Sequence, residues 1–185
     1  MDASPEAHRV VAFLNSMHLP DLDDQLADER AGSWLATWLG QQGAATGAAP
    51  VGALGDLRDL REGIRQLAAA KDGGPEPDAG VLARAGDVLR ASPMLVELGD
   101  ERRPPGLAGS GHPDAAGHAI AALATAYLAI RAGDGWSRLK VCASPDCRWA
   151  FLDTSRNRSR RWCDMAGCGN RAKNRTFRER AQQER

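Results

Sequence analysis

A mainly α-helical chain ending in a small zinc module is implied by three features of these 185 residues. Apolar residues recur at threes and fours through the first two thirds of the chain, the period of helices with one buried face. Aromatics make up only 5% in a chain rich in Ala and Leu, which favours helix over sheet. All four cysteines fall late, at Cys142, Cys147, Cys163 and Cys168. A hydrophobic share of 43% and a charged share of 26% fit an ordinary globular protein with room for one sizeable core.

The first helix is expected over "PEAHRVVAFLNSM", residues 5–17, where Val10, Phe13, Leu14 and Met17 share a stripe and Pro5 with Glu6 suits a first turn. A second begins at Asp28 as cap. It carries Ala31, Trp34, Leu35, Trp38 and Leu39 and stops at Gly40. "QQGAATGAAPVG" reads as a loop. Leu54, Leu57, Leu60, Ile64 and Leu67 then mark a third helix, despite Gly63, until "KDGGPEPD" breaks the pattern. The fourth, 79–91, carries Val81, Leu82, Val88 and Leu89. Met94–Leu98 has the composition of a short strand, and the Gly/Pro-rich remainder up to 113 stays unassigned. From Asp114 an Ala-rich stretch, apolar nearly all round, reads as a buried central helix rather than a membrane span, ended by Gly133 and Gly135. Helical patterning stops at Asp134–Ser137, which divides the chain into a helical domain, 1–136, and a cysteine module, 137–185.

The cysteines form two C-x4-C pairs separated by 15 residues. Paired thiolates on short loops can each chelate from one turn, and a hairpin between them completes a tetrahedral site. Four thiolates leave no open position for water, so one structural zinc ion is the reading, with disulfides or unrelated core thiols as the weaker ones. "RLKV" before Cys142 and "RWAFLD" after Cys147 alternate as strands, placing Trp149 and Phe151 on one side and Arg148, Ala150 and Leu152 on the other. "TSRNRSRR" is a polar loop, and a helix follows the second pair: a treble-clef-like or ribbon-like module of hairpin plus helix. About 45 residues bury too little apolar surface to fold unaided, so the metal is expected to hold this module together.

The formal net charge of zero conceals a division. Residues 140–185 hold 12 Lys+Arg against 5 Asp+Glu, leaving 12 against 19 for the rest. Such asymmetry suggests an anionic partner for the basic end, or attraction between the two halves. On a helix from 170, Arg171, Arg175 and Arg178 share one face and Lys173 points away, while Ala172, Phe177 and Ala181 are expected to pack inward. With Arg156, Arg158, Arg160 and Arg161 in the loop they would form one cationic surface suited to phosphate. Trp162 and Phe177 are expected in the module's small core, with Trp149 equally suited to the core or to stacking on a base.

The run "CASPDCRWAFLDTSRNRSRRWCDMAGCGNRAKNRTFRER" resembles the CGNR zinc finger, named for the tetrapeptide that here is Cys168, Gly169, Asn170 and Arg171. The resemblance implies that Cys142, Cys147, Cys163 and Cys168 bind zinc. The preceding part is similar to the ABATE domain, in the "FLNS" of Phe13–Ser16, the "WL" of Trp38 and Leu39, and "LREGIRQL" from Leu60. Ser16 stands where that family more often has threonine, which keeps a hydroxyl in place. The ABATE resemblance implies a role in stress-induced regulation of transcription.

Together these observations point to a zinc-binding transcriptional regulator whose finger contacts DNA through Arg156, Arg158, Arg160, Arg161, Arg171, Lys173, Arg175 and Arg178. RNA binding is the alternative, as is an adaptor whose finger docks on an acidic protein. The helical domain is a candidate for dimerisation or for a small ligand. His8, His18, His112 and His118 are scattered, no nucleotide loop or nucleophile elbow occurs, and "DLDDQLADE" from Asp21 lacks the Gly-marked order of a calcium loop and reads as a solvated acidic face, so no enzyme activity is expected. The N-terminus shows no basic lead followed by an apolar run, so a cytoplasmic protein without membrane association is expected.

Overall fold

The computed structural model describes residues 4–40, 53–102, 105–109 and 115–183. Helix α1, Pro5–Leu14, starts at Ser4, whose hydroxyl accepts from the Ala7 N–H. It ends three residues earlier than the periodicity suggests, because Met17 and His18 leave it to form β1, which pairs antiparallel with β2, Asp23–Asp24. Helix α2, Asp28–Gly40, lays Trp34 and Trp38 in a stack at 5.9 Å, with Phe13 of α1 tilted against Trp38 at 5.5 Å. The expected cap at the Asp28 side chain and the expected loop 41–52 lie outside what is described.

Helices α3, Ala53–Ala70, and α4, Ala79–Ala91, form a hairpin. Gly63 lies at their crossing: a Cβ there would stand 2.6 Å from that of Ala85, so only glycine lets the helices approach this closely. The face α4 buries is Ala85 and Val88, while Val81 and Leu82 are half-buried and Leu89 is exposed. The expected strand is β3, Met94–Glu97, paired with β4, Gly106–Gly109. The Leu107 N–H donates to Thr125 Oγ1 and so pins β4 to α5, Ala115–Ala132.

By length and composition α5 could cross a membrane, yet 56% of it is buried. Its small residues Ala115, Ala116, Ala119 and Ala126 let it lie against α1, α2 and α3 as the centre of the core. A short helix, α6, Gly135–Arg138, then leads into β5, Leu139–Val141, which pairs antiparallel with β6, Ala150–Leu152. Leu139 and Ala150 belong to the helical core, so this hairpin does not depend on the metal alone for its packing. One π-helical turn, Met165–Gly169, opens into α7, Asn170–Gln183.

Of the acidic residues read as solvated, Asp24 is structural. Asp24 makes a two-pronged pair with Arg61 of α3, at 2.6 and 2.9 Å, and Arg61 is only 3% exposed. Asp23 pairs with Arg30. Burying an arginine without such a partner is costly, which is why a carboxylate has to reach inside.

Candidate metal centre and basic surface

Four chain segments each bring one sulfur to a common point. Cys142 follows β5, and its N–H donates to the Trp149 carbonyl across the hairpin. Cys147 closes a tight turn on the Ser144 carbonyl, and Arg148 beside it takes a left-handed φ of 50°. Arg161, whose carbonyl accepts from the Ala143 N–H, returns the loop so that Cys163 arrives. Cys168 sits in the π-turn, where Asp164 accepts from the N–H groups of Ala166 and Gly167.

All four sulfurs lie within 4.8 Å of one another. Cys147–Cys163 and Cys163–Cys168 are 3.7 and 3.8 Å apart. A sulfur tetrahedron at about 2.3 Å from zinc has edges of roughly 3.8 Å, so the spacing fits zinc and is far too long for a disulfide. The protonation chemistry agrees. Burial pushes the Cys147 thiol up to about 11, with the charge of Cys142 adding to it against a Trp149 N–H, and burial with its thiol neighbours raises Cys163 as well. Cys142 moves down: burial opposes this, but the N–H groups of Cys163 and Ser144 and the neighbouring thiols outweigh it. Four thiolates therefore resist sharing this space unless a cation neutralises them. Cys142, Cys147, Cys163 and Cys168 would hold such an ion, which would supply the charge that keeps them ionised and ties four segments together.

Two further residues of the CGNR run have clear roles. A Cβ on Gly169 would stand 2.7 Å from Met165 Sδ and 3.3 Å from Trp162 Cδ1, so glycine lets the turn pack under the indole. Arg171 reaches back, its Nη2 donating to Cys168 Sγ at 3.0 Å.

The eight candidate cations divide into two groups. Arg158 turns inward to Ser137 Oγ at 2.5 Å and Asp134 at 3.4 Å, and Arg160 donates to the Cys163 carbonyl and lies over the Phe151 ring at 5.0 Å. Arg161 stands over Trp162, and Arg171 faces the metal centre. Arg156, Lys173, Arg175 and Arg178 are exposed and have no ion-pair partner among the described residues. Attraction between the halves is real: besides Arg158 with Asp134, Lys140 approaches Asp72 at 3.7 Å and Arg148 approaches Glu62 at 4.0 Å.

Asp153, fully buried, shapes the basic loop and was not singled out by composition or spacing. It accepts from Ser155 N–H and Oγ and from the Arg160 N–H, and stands 3.6 Å from the Lys140 ammonium. The "D-T-S" run before the arginines, a common turn signal, was the available clue. Phe177 corrects the expected packing: it is 74% exposed, and Ala181 is exposed too, because α7 projects from the π-turn with none of the described residues packed over its outer half. Trp162 is half-buried against the sulfurs, as is Trp149, which also meets the His18 ring edge-on at 5.4 Å.

The family model of the CGNR zinc finger matches residues 138–181, and that of ABATE, described as "Putative stress-induced transcription regulator", matches residues 7–134. The chain belongs to the ABATE family. Comparison with curated proteins finds no match. At family level the two matches describe a regulator that carries a zinc finger.

Two of the three ABATE motifs turn out to attach the finger. Asn15 of "FLNS" exchanges two hydrogen bonds with Ala150 of β6, Nδ2 to the carbonyl at 2.9 Å and Oδ1 from the N–H at 2.8 Å, as a neighbouring strand would. The Ser16 hydroxyl accepts from Arg61 at 3.0 Å, which accounts for a hydroxyl at that position. Arg65 of "LREGIRQL", 1% exposed, donates to the Leu14 carbonyl and, at 2.8 Å, to that of Arg148 in the cysteine knuckle. The left-handed turn at Arg148 aims its carbonyl at this guanidinium. Burial lowers the Arg65 pKa, opposed by the Glu62 charge.

Proposed function

We propose that this ABATE protein is a DNA-binding transcriptional regulator in which zinc holds α7 and the loop 154–161 as a rigid cationic platform. The observation that carries the reading is the state of α7: five cations, Arg171, Lys173, Arg175, Arg178 and Arg180, against the single acid Glu179, on a helix exposed along its outer length. Fourteen residues make about 21 Å of helix, and the major groove admits a single α-helix. Arg171, Arg175 and Arg178 on one face repel one another at helical spacing, and a row of phosphates would relieve that strain. Arg156, Lys173, Arg175, Arg178 and Arg180 would contact the backbone, while Arg158, Arg160 and Arg161 mainly shape the loop beside them and Arg171 faces the metal centre. Two cysteine knuckles hold the platform, and Asn15 and Arg65 connect it to the helical part. No catalytic role is proposed.

A gel-shift or anisotropy titration against duplex DNA at rising salt tests this. If five side chains engage phosphates, the logarithm of affinity falls with that of salt at a slope of about −4.5. Absence of salt-sensitive binding by the zinc-loaded protein overturns the proposal.

A further inference from the structure

Between the Trp162 ring and the face of α7 that carries Phe177 lies a cavity of about 330 Å³, lined also by Gly169, Ala172, Lys173 and Arg180. Its two large walls are aromatic. Its rim is cationic: Lys173 and Arg180 on the helix, with Arg161 standing over the Trp162 ring at 5.7 Å. Leaving a phenylalanine 74% exposed in a helix otherwise so polar forgoes its burial energy, and none of the described residues covers it.

We propose that this slot receives one unstacked nucleobase, with Lys173, Arg180 and Arg161 holding the phosphates on either side of it. The inference rests on the nucleic-acid reading above and narrows it to strands that present an unpaired or extruded base. A ligand that fits must bring a flat apolar face and negative charge together, and a nucleotide carries both in one unit. Charge complementarity extends beyond the slot: the cations run the length of α7, so the neighbouring phosphates of a strand find partners on both sides of the base. An acidic peptide bearing one aromatic residue offers the same two elements but no repeating anion at fixed spacing, and so fits less of the surface. Gly169 leaves room for the indole wall, since a Cβ there would stand 3.3 Å from Trp162 Cδ1.

The test uses the full zinc-loaded chain and three probes: a fully paired duplex, the same duplex with one bulged fluorescent base analogue, and a glutamate-rich peptide containing one phenylalanine. The wild type is expected to bind the bulged duplex about 10-fold more tightly than the paired one, and to quench the analogue. Phe177→Ala should remove that preference while leaving affinity for the paired duplex within about twofold, and Phe177→Trp should restore it. Because Phe177 is exposed, neither substitution disturbs packing. Equal affinity of the wild type for both duplexes, a preference unchanged in Phe177→Ala, or peptide binding abolished by that substitution each overturns the slot. Equal binding to both duplexes leaves the DNA-binding reading standing, whereas no binding to either ends both.

Discussion

The Arg171 guanidinium donates to Cys168 Sγ at 3.0 Å. Two members of one tetrapeptide thus meet at the metal centre: one would supply a ligand, and the other a charge-assisted hydrogen bond to that ligand. Such outer partners orient a thiolate and disperse its charge, and removing them typically costs 10- to 100-fold in metal affinity. Arg171→Ala is expected to release zinc to a colorimetric chelator roughly 10-fold faster than the wild type. Arg175→Ala, one turn further on, should match the wild type. If the two variants release zinc at the same rate, the contact has no bearing on the metal.

Asn15 joins α1 to β6 by two hydrogen bonds of 2.9 and 2.8 Å. Alanine there leaves the Ala150 N–H and carbonyl unpaired in a buried place, at about 1–3 kcal/mol. Asn15→Asp keeps the acceptor but sets a carboxylate oxygen against the Ala150 carbonyl, so it should be no better. Urea unfolding measures both, and hydrogen exchange at Ala150 should speed up in Asn15→Ala, which removes the acceptor of its N–H.

Asp24 balances Arg61, which is 3% exposed. Asp24→Ala leaves that guanidinium with only Glu62 and the Ser16 hydroxyl and is expected to lower stability by about 1–3 kcal/mol, whereas replacing both residues with apolar ones should recover most of the loss. Thermal and urea melts of the single and double variants decide between this and a solvated pair worth almost nothing.

Asp153 gives the basic loop a pH dependence. Burial alone would raise its carboxyl, but hydrogen bonds from Ser155 and the Arg160 and Ser155 N–H groups, with the Lys140 charge, hold it below the ordinary value. Its pKa is thus lower folded than unfolded. The stability it contributes is fully present above the unfolded value of about 4 and disappears as pH falls through the depressed folded value. The stability difference between wild type and Asp153→Asn should therefore be constant from pH 7 down to about 5 and shrink below about 4. A difference that persists at low pH would mean that the neutral side chain suffices.

Much of this was legible in the residues, for identifiable reasons. Helices α2 to α4 announce themselves because each buries one face, so Leu35, Leu57, Leu60 and Ile64 must recur at helical spacing, and α5 does so because it is apolar nearly all round. Cysteine spacing revealed the metal centre because chelation constrains sequence distance as well as space. Phe177 misled because hydrophobicity states a preference for burial without saying whether anything is there to cover it. Asp24, Asp153 and Arg65 were hidden for the converse reason: a charged side chain looks solvated until the fold brings a partner from 37, seven or 83 residues away.

Zinc titration into metal-free protein, followed at once by far-ultraviolet helicity and by anisotropy of a labelled duplex, bears most directly on the link between metal and function. One equivalent of zinc is expected to restore the α7 signal and DNA binding together, with the ABATE helices already formed before zinc is added. Full DNA affinity in protein shown to contain no metal would contradict it.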